Sequence, residues 1–213
     1  MLLIDKPKGM TSHDVVNIVR RQTGVRRVGH AGTLDPNATG LLIVGVGREE
    51  TKQLGELTKN TNKTYEAEIF LGEERDTDDI EGKITSKNEQ IIPTNKEIQN
   101  VLKEFVGVQE QIPSSFSAVK LQGKKAYELA RIGKEVKLEP RKINIYKIEL
   151  IDFKYPTLKI ICEVSSGTYI RSLARDIGKR LGSGAYLSNL RRTRTGKYDL
   201  KDAITLESLA KTK

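Results

Sequence analysis

The sequence has little cysteine: among its 213 residues the only one is Cys162. A single thiol cannot form an intrachain disulfide, which suits a protein of a reducing compartment. Cys162 stands in the apolar run of residues 158–164, so we predict a core position for it and no catalytic role.

Long hydrophobic runs are also missing. No apolar stretch approaches the roughly 20 residues that span a bilayer, and the first six residues lack the basic-then-apolar order of a secretion signal. We find no phosphate-binding loop, dinucleotide fingerprint, internal repeat or low-complexity linker. We therefore expect a cytoplasmic protein with no membrane association that forms one folding unit.

Basic residues are in excess. The chain has 37 Lys and Arg against 28 Asp and Glu, so its net charge is 37 − 28 = +9, and its pI is about 9.5. The excess is concentrated in two clusters, which favours a polyanionic partner such as nucleic acid, although two solvated faces would have the same composition. The first cluster is Arg20, Arg21, Arg26 and Arg27, and the second is Arg191, Arg192, Arg194 and Lys197.

Hydrophobic periodicity predicts alternating helices and strands of an α+β fold with a mixed, mostly antiparallel sheet. Helices are indicated from a cap at Thr11 or Ser12 to Gly24, from the capping box at Thr94 and Glu97 to Gly107, and over residues 127–130. Strands are predicted at residues 2–4, 41–46, 65–71, 116–121, 142–153 and 158–164. The acidic stretch of residues 73–81 has Ile80 and Glu81 where a calcium loop needs an oxygen ligand and a glycine, so we interpret it as a solvated hairpin loop.

The segment GHAGTLDPNATG, residues 29–40, is the most informative. Its glycines allow close approach of a ligand, Pro36 biases Asp35 toward extended backbone, and a buried strand follows. The carboxylate of Asp35 is therefore held in a defined direction. Taken alone, the same segment could be a simple hydrogen-bonded turn.

A second segment, SSGTYIR at residues 165–171, begins a helix that its serines could cap. Arg171 falls in the first turn, where the helix dipole disfavours a cation unless a carboxylate is near. Arg171 could be a surface residue, or it could hold an ionised acid such as Asp35.

Several segments in this order resemble the TruB family of tRNA pseudouridine synthases, over nearly the whole chain: KPKGMTSHD, GHAGTLDPNATG, KTYEAEIFLG, PSSFSAVK, GKKAYELAR and SSGTYIRSLARDIG. The resemblance implies the pseudouridine synthase fold and isomerisation of the T-loop uridine at tRNA position 55, without metal or organic cofactor. Family members commonly continue into a PUA module, whereas here we expect residues 1–213 to form a single catalytic domain without one.

The resemblance also implies roles for individual residues. Asp35 is the catalytic carboxylate, attacking the sugar or the base or driving elimination to a glycal, and Arg171 pairs with it. Tyr65 stacks on the target base and is a candidate for proton removal; without the resemblance, an ordinary strand aromatic would be favoured. Tyr169 and Leu190 line the base pocket, although helix-start packing and core would be their simpler interpretations.

Two further residues are implied in substrate binding. Lys6 contacts phosphate or the active site, where a snorkelling surface lysine is the alternative. His30 fills the gap left by the extruded base, where a satisfied loop histidine is the alternative. The partner is the T stem-loop of tRNA, bound by a monomer without guide RNA. We also considered a non-catalytic RNA-folding protein, a guide-dependent assembly, and a metal-dependent phosphoryl-transfer enzyme, which lacks a credible ligand set.

Overall fold

The structure is a computed structural model that describes residues 1–59, 61–121, 123–134 and 136–211. Within those residues the strands are β1 (Leu2–Lys6), β2 (Val28–Ala31), β3 (Thr39–Val46), β4 (Lys63–Leu71), β5 (Glu73–Arg75), β6 (Ile84–Lys87), β7 (Gly107–Gln111), β8 (Lys120–Leu121), β9 (Lys124–Lys125), β10 (Arg141–Lys154), β11 (Thr157–Val164), β12 (Ala185–Thr195) and β13 (Tyr198–Asp199). The helices are α1 (Ser12–Thr23), α2 (Arg48–Lys59), α3 (Asn95–Glu104), α4 (Ala126–Arg131), α5 (Ile170–Leu181) and α6 (Leu206–Lys211), with a 3₁₀ turn at Leu200–Asp202.

The chain groups into two compact units. The first contains Met1–Glu66, Glu163–Ser166 and the residues from Asn189 onward, and the second contains Ala67–Cys162 and Gly167–Ser188. Strands β4, β11 and β12 contribute residues to both. In the described part of the chain no helix is both long and apolar enough to cross a membrane.

Strand β3 is the centre of the first unit. It pairs antiparallel with β1 and β2, and parallel with β12. Because alternate side chains of a strand point to opposite faces, β3 presents Leu42 and Val44 to the core cluster formed with α1, and Leu41 and Ile43 to the cluster that contains Leu54 of α2. The segment between β2 and β3, which carries Asp35, therefore leads into a strand that is buried from both sides.

The second unit has the strand order β12, β4, β11, β10 and β7, with helices α3 and α5 packed together. Burial alternates along β4, where Ala67, Ile69 and Leu71 are at most 2% exposed and Glu68 is only partly covered. Two hairpins, β5 with β6 and β8 with β9, complete it. The predicted α+β fold with a mixed, mostly antiparallel sheet is confirmed.

The capping signals predicted the starts of α1 and α3 and the end of α1, whereas α3 ends at Glu104 and Gly107, its predicted end, is the first residue of β7. Thr11 caps α1 through a capping box with Asp14, and the helix ends at Gly24 in the left-handed conformation, φ 67°. Thr94 and Glu97 form the predicted capping box of α3. Cys162 is buried in β11, and burial raises the pKa of its thiol to about 12, as expected for an unreactive core residue.

Three local predictions were wrong. The strand expected at residues 116–121 is limited to β8, because the amide of Ser117 bonds to the carbonyl of Ser114 in a turn. The first residues of the Asp35 segment lie on β2, where pairing with β3 satisfies the backbone that we expected in a loop. The N-cap of α5 is Tyr169, not a serine, and it has no side-chain capping bond.

Candidate active site

The backbone on both sides of Asp35 is tied to the rest of the first unit. Immediately before it, Leu34 is bracketed by one hydroxyl: Ser12 Oγ donates to the carbonyl of Leu34 at 3.0 Å and accepts from its amide at 2.9 Å. Ser12 is buried at the start of α1, so this bracket links the segment to a helix whose apolar face is fully packed. Leu34 thus has a defined position relative to α1.

Immediately after Asp35, the carbonyl of Pro36 accepts two hydrogen bonds. The amide of Gly9 donates at 2.9 Å and the ammonium of Lys6 at 3.2 Å. The carbonyl of Asp35 itself accepts from the amide of Ala38 at 3.0 Å, which closes a turn. With one clamp before it and one after it, the carboxylate starts from a fixed backbone.

Lys6 is 0% exposed, so it is not the snorkelling surface lysine of the simpler interpretation. Besides Pro36, its ammonium donates to the carbonyls of Pro7 at 3.0 Å and Met10 at 2.6 Å. Burial lowers the pKa of Lys6 to about 8, opposed by the negative charge of Asp35 and reinforced by the guanidinium of Arg192. Direct contact of Lys6 with substrate stays a prediction.

His30 lies on β2, opposite Val44 of β3, and is partly exposed. Its Nδ1 is buried and has no hydrogen-bond partner among the described residues. Burial lowers the pKa of His30, and the charges of Arg192 and His13 lower it further. The ring is therefore kept neutral near physiological pH, which suits packing against an uncharged base.

Tyr65 and Leu190 are also in the first unit. Tyr65 is 8% exposed on β4, on the buried side predicted from the alternation. Leu190, on β12, is partly exposed and does not belong to the core, and its carbonyl accepts from Thr39 Oγ1 of β3 at 3.4 Å. The residue type alone favours a core position for Leu190. Its partial exposure instead suits the wall of a pocket.

In the second unit, Arg171 occupies the first turn of α5 with 8% exposure. Its Nη1 lies 3.3 Å from a carboxylate oxygen of Asp79, and the guanidinium also donates to the carbonyls of Thr77 and Phe116 at 3.3 Å each. Asp79 thus offsets the unfavourable helix dipole noted above. The predicted pairing of Arg171 with Asp35 stays a prediction.

Four residues after Arg171 on α5, Arg175 forms an ion pair with Asp78, the residue before Asp79. Its Nη1 lies 2.9 Å from Asp78 Oδ2, and its Nη2 donates to the carbonyl of Ile112 at 2.9 Å. Asp78 is 8% exposed, and burial raises its pKa, opposed by the charge of Arg175. The acidic stretch is therefore a hairpin, as predicted. At its tip Asp76, Ile80 and Glu81 are exposed, but Asp78 is buried and ion-paired where we expected a solvated loop.

Tyr169 precedes Arg171 and is held by a residue that the sequence did not point to. The side-chain amide of Gln111 accepts from the amide of Tyr169 at 2.8 Å and donates to its carbonyl at 3.1 Å. Gln111 is 3% exposed at the end of β7. A buried glutamine between polar neighbours has no pattern that distinguishes it from a surface glutamine, so only the fold could identify it.

The members of the two basic clusters differ in their exposure to solvent. Arg21, Arg26 and Arg27 are exposed, and so is Arg194. Arg191 is partly exposed and forms an ion pair with Asp5 at 2.7 Å. Arg192 is 1% exposed, so its expected place on a charged surface was wrong: its donors point to backbone carbonyls of the first unit.

The candidate residues therefore fall into two sets. Lys6, His30, Asp35, Tyr65 and Leu190 lie in the first unit, and the other two, Tyr169 and Arg171, are neighbours at the start of α5 in the second. No group of three or more His, Cys, Asp or Glu within the described residues is arranged to hold a metal ion.

Comparison with known protein families decides the assignment. The sequence model described as the N-terminal domain of the TruB family pseudouridylate synthases matches residues 20–170, and that described as the tRNA pseudouridylate synthase B C-terminal domain matches residues 171–213. The chain belongs to the TruB family. Its fold is thus the pseudouridine synthase fold, and its class of enzyme is the pseudouridylate synthases, which are isomerases.

Relatives agree over nearly the whole TruB-family chain. A protein of Protochlamydia amoebophila (strain UWE25) named tRNA pseudouridine synthase B is 48% identical over 204 residues, 96% of this chain and 77% of that protein. One of Mycobacterium sp. (strain KMS) with the same name is 45% identical, over 99% of this chain and 71% of its own length.

Solved structures agree on the fold. A chain in the crystal structure of a Cbf5-Nop10-Gar1 complex is 32% identical with a TM-score of 0.76, and one in an H/ACA RNP bound to a substrate RNA containing 2'-deoxyuridine is 29% identical with a TM-score of 0.74. Both matches cover 99% of this TruB-family chain. The chain spans about half the length of those two, 53% and 52%.

Proposed function

We propose that this protein converts the uridine at position 55 in the T loop of tRNA to pseudouridine. The observation that carries the proposal is the double clamp on the Asp35 segment, in a chain of the TruB family. Ser12 holds Leu34, while Lys6 and Gly9 hold Pro36, so the backbone from which the carboxylate projects is fixed on both sides. Such orientation is what a nucleophilic or charge-stabilising carboxylate needs.

The reaction is an isomerisation whose atoms balance within the substrate. The C1′–N1 bond breaks, a C1′–C5 bond forms, and one proton leaves C5 while N1 gains one. No atom is added and no electron is transferred to another molecule. The protein therefore has to supply a carboxylate for the sugar or the base, a pocket that keeps the detached base, and a group that accepts the C5 proton.

Asp35 supplies the carboxylate in this proposal. Tyr65, which lies on the buried side of β4, stacks on the base and is the candidate for accepting the C5 proton. Tyr169, with its backbone held by Gln111, and the partly exposed Leu190 form the walls of the base pocket.

His30 takes the place of the extruded base. Extraction of a base from a folded loop costs a few kcal/mol of lost stacking, and a flat neutral ring returns part of it. The partly exposed ring of His30, whose pKa is lowered by burial, supports this role.

The substrate is tRNA, of which the T stem-loop carries most contacts, and the protein acts in the cytoplasm as a monomer without guide RNA. The relatives above are named for tRNA, and the exposed arginines near β2 suit phosphates of a stem recognised by its shape. Guide-dependent action on other RNAs is the competing possibility, and the test below includes it.

The test is incubation of the purified protein with an unmodified tRNA transcript and with its isolated T stem-loop, without guide RNA. Pseudouridine is mapped by carbodiimide treatment and primer extension. We expect one stop at position 55 in both RNAs. Binding without any stop would instead favour the RNA-folding protein, and a stop only after addition of a guide RNA would favour the guided assembly.

Affinity for the T stem-loop is expected to fall steeply with salt. Each phosphate neutralised by Lys or Arg contributes about −0.7 to −0.9 to the slope of log K against log salt concentration. Replacement of the exposed Arg26 with glutamine should make the slope less steep by about the contribution of one phosphate, without changing kcat. Filter binding between 50 and 200 mM salt measures both slopes.

The matched control for that prediction is Lys103→Gln, a loss of one positive charge on α3, in the second unit. It should keep the wild-type slope. A wild-type slope near zero, or an equal change in both variants, would contradict phosphate contacts at Arg26.

A further inference from the structure

Arg192 is the largest fully buried side chain among the residues that the structure describes, and its guanidinium is bonded to backbone carbonyls. Its Nε donates to the carbonyl of Leu41 at 2.8 Å, and its Nη2 donates to the carbonyl of Gly32 at 3.0 Å. No ion pair joins it to a carboxylate among the residues that the structure describes. Burial of an arginine without a carboxylate partner lowers the stability of the fold. We therefore look for the role of Arg192 in the two carbonyls that it binds.

The two carbonyls that Arg192 holds enclose the proposed catalytic residue. Gly32 precedes Asp35 by three residues, and Leu41 follows it by six. One planar guanidinium therefore bridges the end of β2 and the start of β3, from which the Asp35 segment projects. The hydrogen bonds described above fix the residues adjacent to Asp35. Arg192 instead fixes the distance between the two ends of the segment, at Gly32 and Leu41.

Two glycines make this bridge possible. At Gly40, φ is 98° and a Cβ atom would lie 2.3 Å from the carbonyl oxygen of Arg192, so only glycine lets β12 approach β3 here. At Gly32, φ is 75° and a Cβ atom would lie 3.2 Å from Arg192 Nη1. Two of the three glycines of residues 29–40, Gly32 and Gly40, are thus in contact with the same arginine.

We propose that Arg192 is a positioning residue for pseudouridine formation, whose guanidinium sets the spacing between the two ends of the Asp35 segment. This inference rests on the proposed function, because it assigns Asp35 to the chemical step. Arg192 is 1% exposed, so a phosphate cannot reach its guanidinium. Its effect is therefore on the turnover of bound RNA and not on its capture.

Lysine cannot replace arginine in this bridge. The guanidinium is planar and offers five donors in a fixed fork, while an ammonium is a compact point charge that can reach one carbonyl but not both in the same geometry. Arg192→Lys keeps the charge and loses the bridge. Arg192→Met loses both, with a side chain of comparable length that suits a buried site.

The test compares single-turnover and steady-state rates of pseudouridine formation on the T stem-loop. For Arg192→Lys and Arg192→Met we expect kcat to fall about 10- to 100-fold, with KM within about twofold of wild type. Arg194→Met, an exposed neighbour on the same strand, is the comparison, and it should raise KM while kcat stays within about twofold. Assays are run well below the lowest thermal midpoint, so that unfolding does not lower the rates.

Titration of His30 separates loss of the positive charge of Arg192 from loss of its bridge to the two carbonyls. The chain has only two histidines, so a His13→Gln background leaves one imidazole to titrate by NMR. Burial and, after it, the positive charge of Arg192 lower the pKa of His30, so the pKa should rise in Arg192→Met and stay close to wild type in Arg192→Lys. Loss of turnover in both variants with a changed His30 pKa in only one assigns the effect to the bridge, not to the charge.

Wild-type kcat in folded Arg192→Lys and Arg192→Met would overturn the inference, and so would a raised KM with unchanged kcat. If Arg192→Met does not fold, Arg192→Lys alone decides by the same criterion. Failure of the proposed function looks different, because then the wild-type protein itself makes no pseudouridine. In that case the role of Arg192 is refuted together with the function.

Discussion

Replacement of Asp35 with asparagine is expected to reduce kcat for pseudouridine formation about 10⁴-fold or more, with RNA binding retained within about twofold. Asparagine has nearly the same shape but has neither the charge nor the nucleophilic oxygen of a carboxylate. Losses of that size or larger follow removal of a nucleophile from other enzymes. Carbodiimide mapping measures the rate, and filter binding measures the affinity.

The backbone around Asp35 should be unaffected by this change, because its clamps act on the flanking residues Leu34 and Pro36. Asp152→Asn, an exposed acid on β10, is the control for the loss of one negative charge, and it should retain wild-type turnover. Turnover of Asp35→Asn within about tenfold of wild type would remove Asp35 from the chemical step.

Replacement of Arg171 with methionine is expected to have two separate effects. It should lower kcat about 100-fold or more, since Arg171 is the proposed partner of the catalytic carboxylate. It should also lower the free energy of unfolding by about 3 kcal/mol, because Asp79, whose side chain is 15% exposed, would lose its ion-pair partner. Urea unfolding gives the second quantity and single-turnover rates the first.

A double-mutant cycle with Asp79→Asn separates these effects. Asp79→Asn alone should cost about 1–2 kcal/mol and about tenfold in kcat, since Arg171 keeps its bonds to the carbonyls of Thr77 and Phe116. In the double variant, stability should be regained relative to the sum of the single changes, while kcat stays at the level of Arg171→Met. Recovery of kcat together with stability would show that Arg171 has only a structural role.

Local signals in the sequence were reliable where a residue interacts with its chain neighbours. Thr11 and Thr94 cap their helices through residues three positions away, and Gly24 ends α1 because it can adopt a positive φ. The alternation in β4 predicted the burial of Tyr65 because successive side chains of a strand point to opposite faces. Each of these depends on geometry that is independent of the rest of the fold.

Predictions were weaker where partners are distant in sequence. Ser165 and Ser166 stand where a helix cap is expected, but α5 begins later and Gln111, 58 residues away, bonds the backbone at its start. The acidic hairpin has the composition of a solvated loop. Two acids at its tip, Asp78 and Asp79, are nevertheless covered because Arg175 and Arg171 present two cations one helical turn apart.

The sequence by itself determined the family, the α+β class, the position of Asp35 in a glycine-rich segment ahead of a buried strand, and the excess of basic residues. Only the tertiary structure decided which basic residues face solvent: Arg194 is exposed, whereas Arg192, two positions away on the same strand, is buried against the Asp35 segment. The physical reason is that composition and local spacing specify charge and secondary structure, while burial and hydrogen bonding depend on which strands become neighbours. The parallel pairing of β12 with β3 at Gly40, 152 residues away along the chain from Arg192, is set by that assembly and by no local pattern.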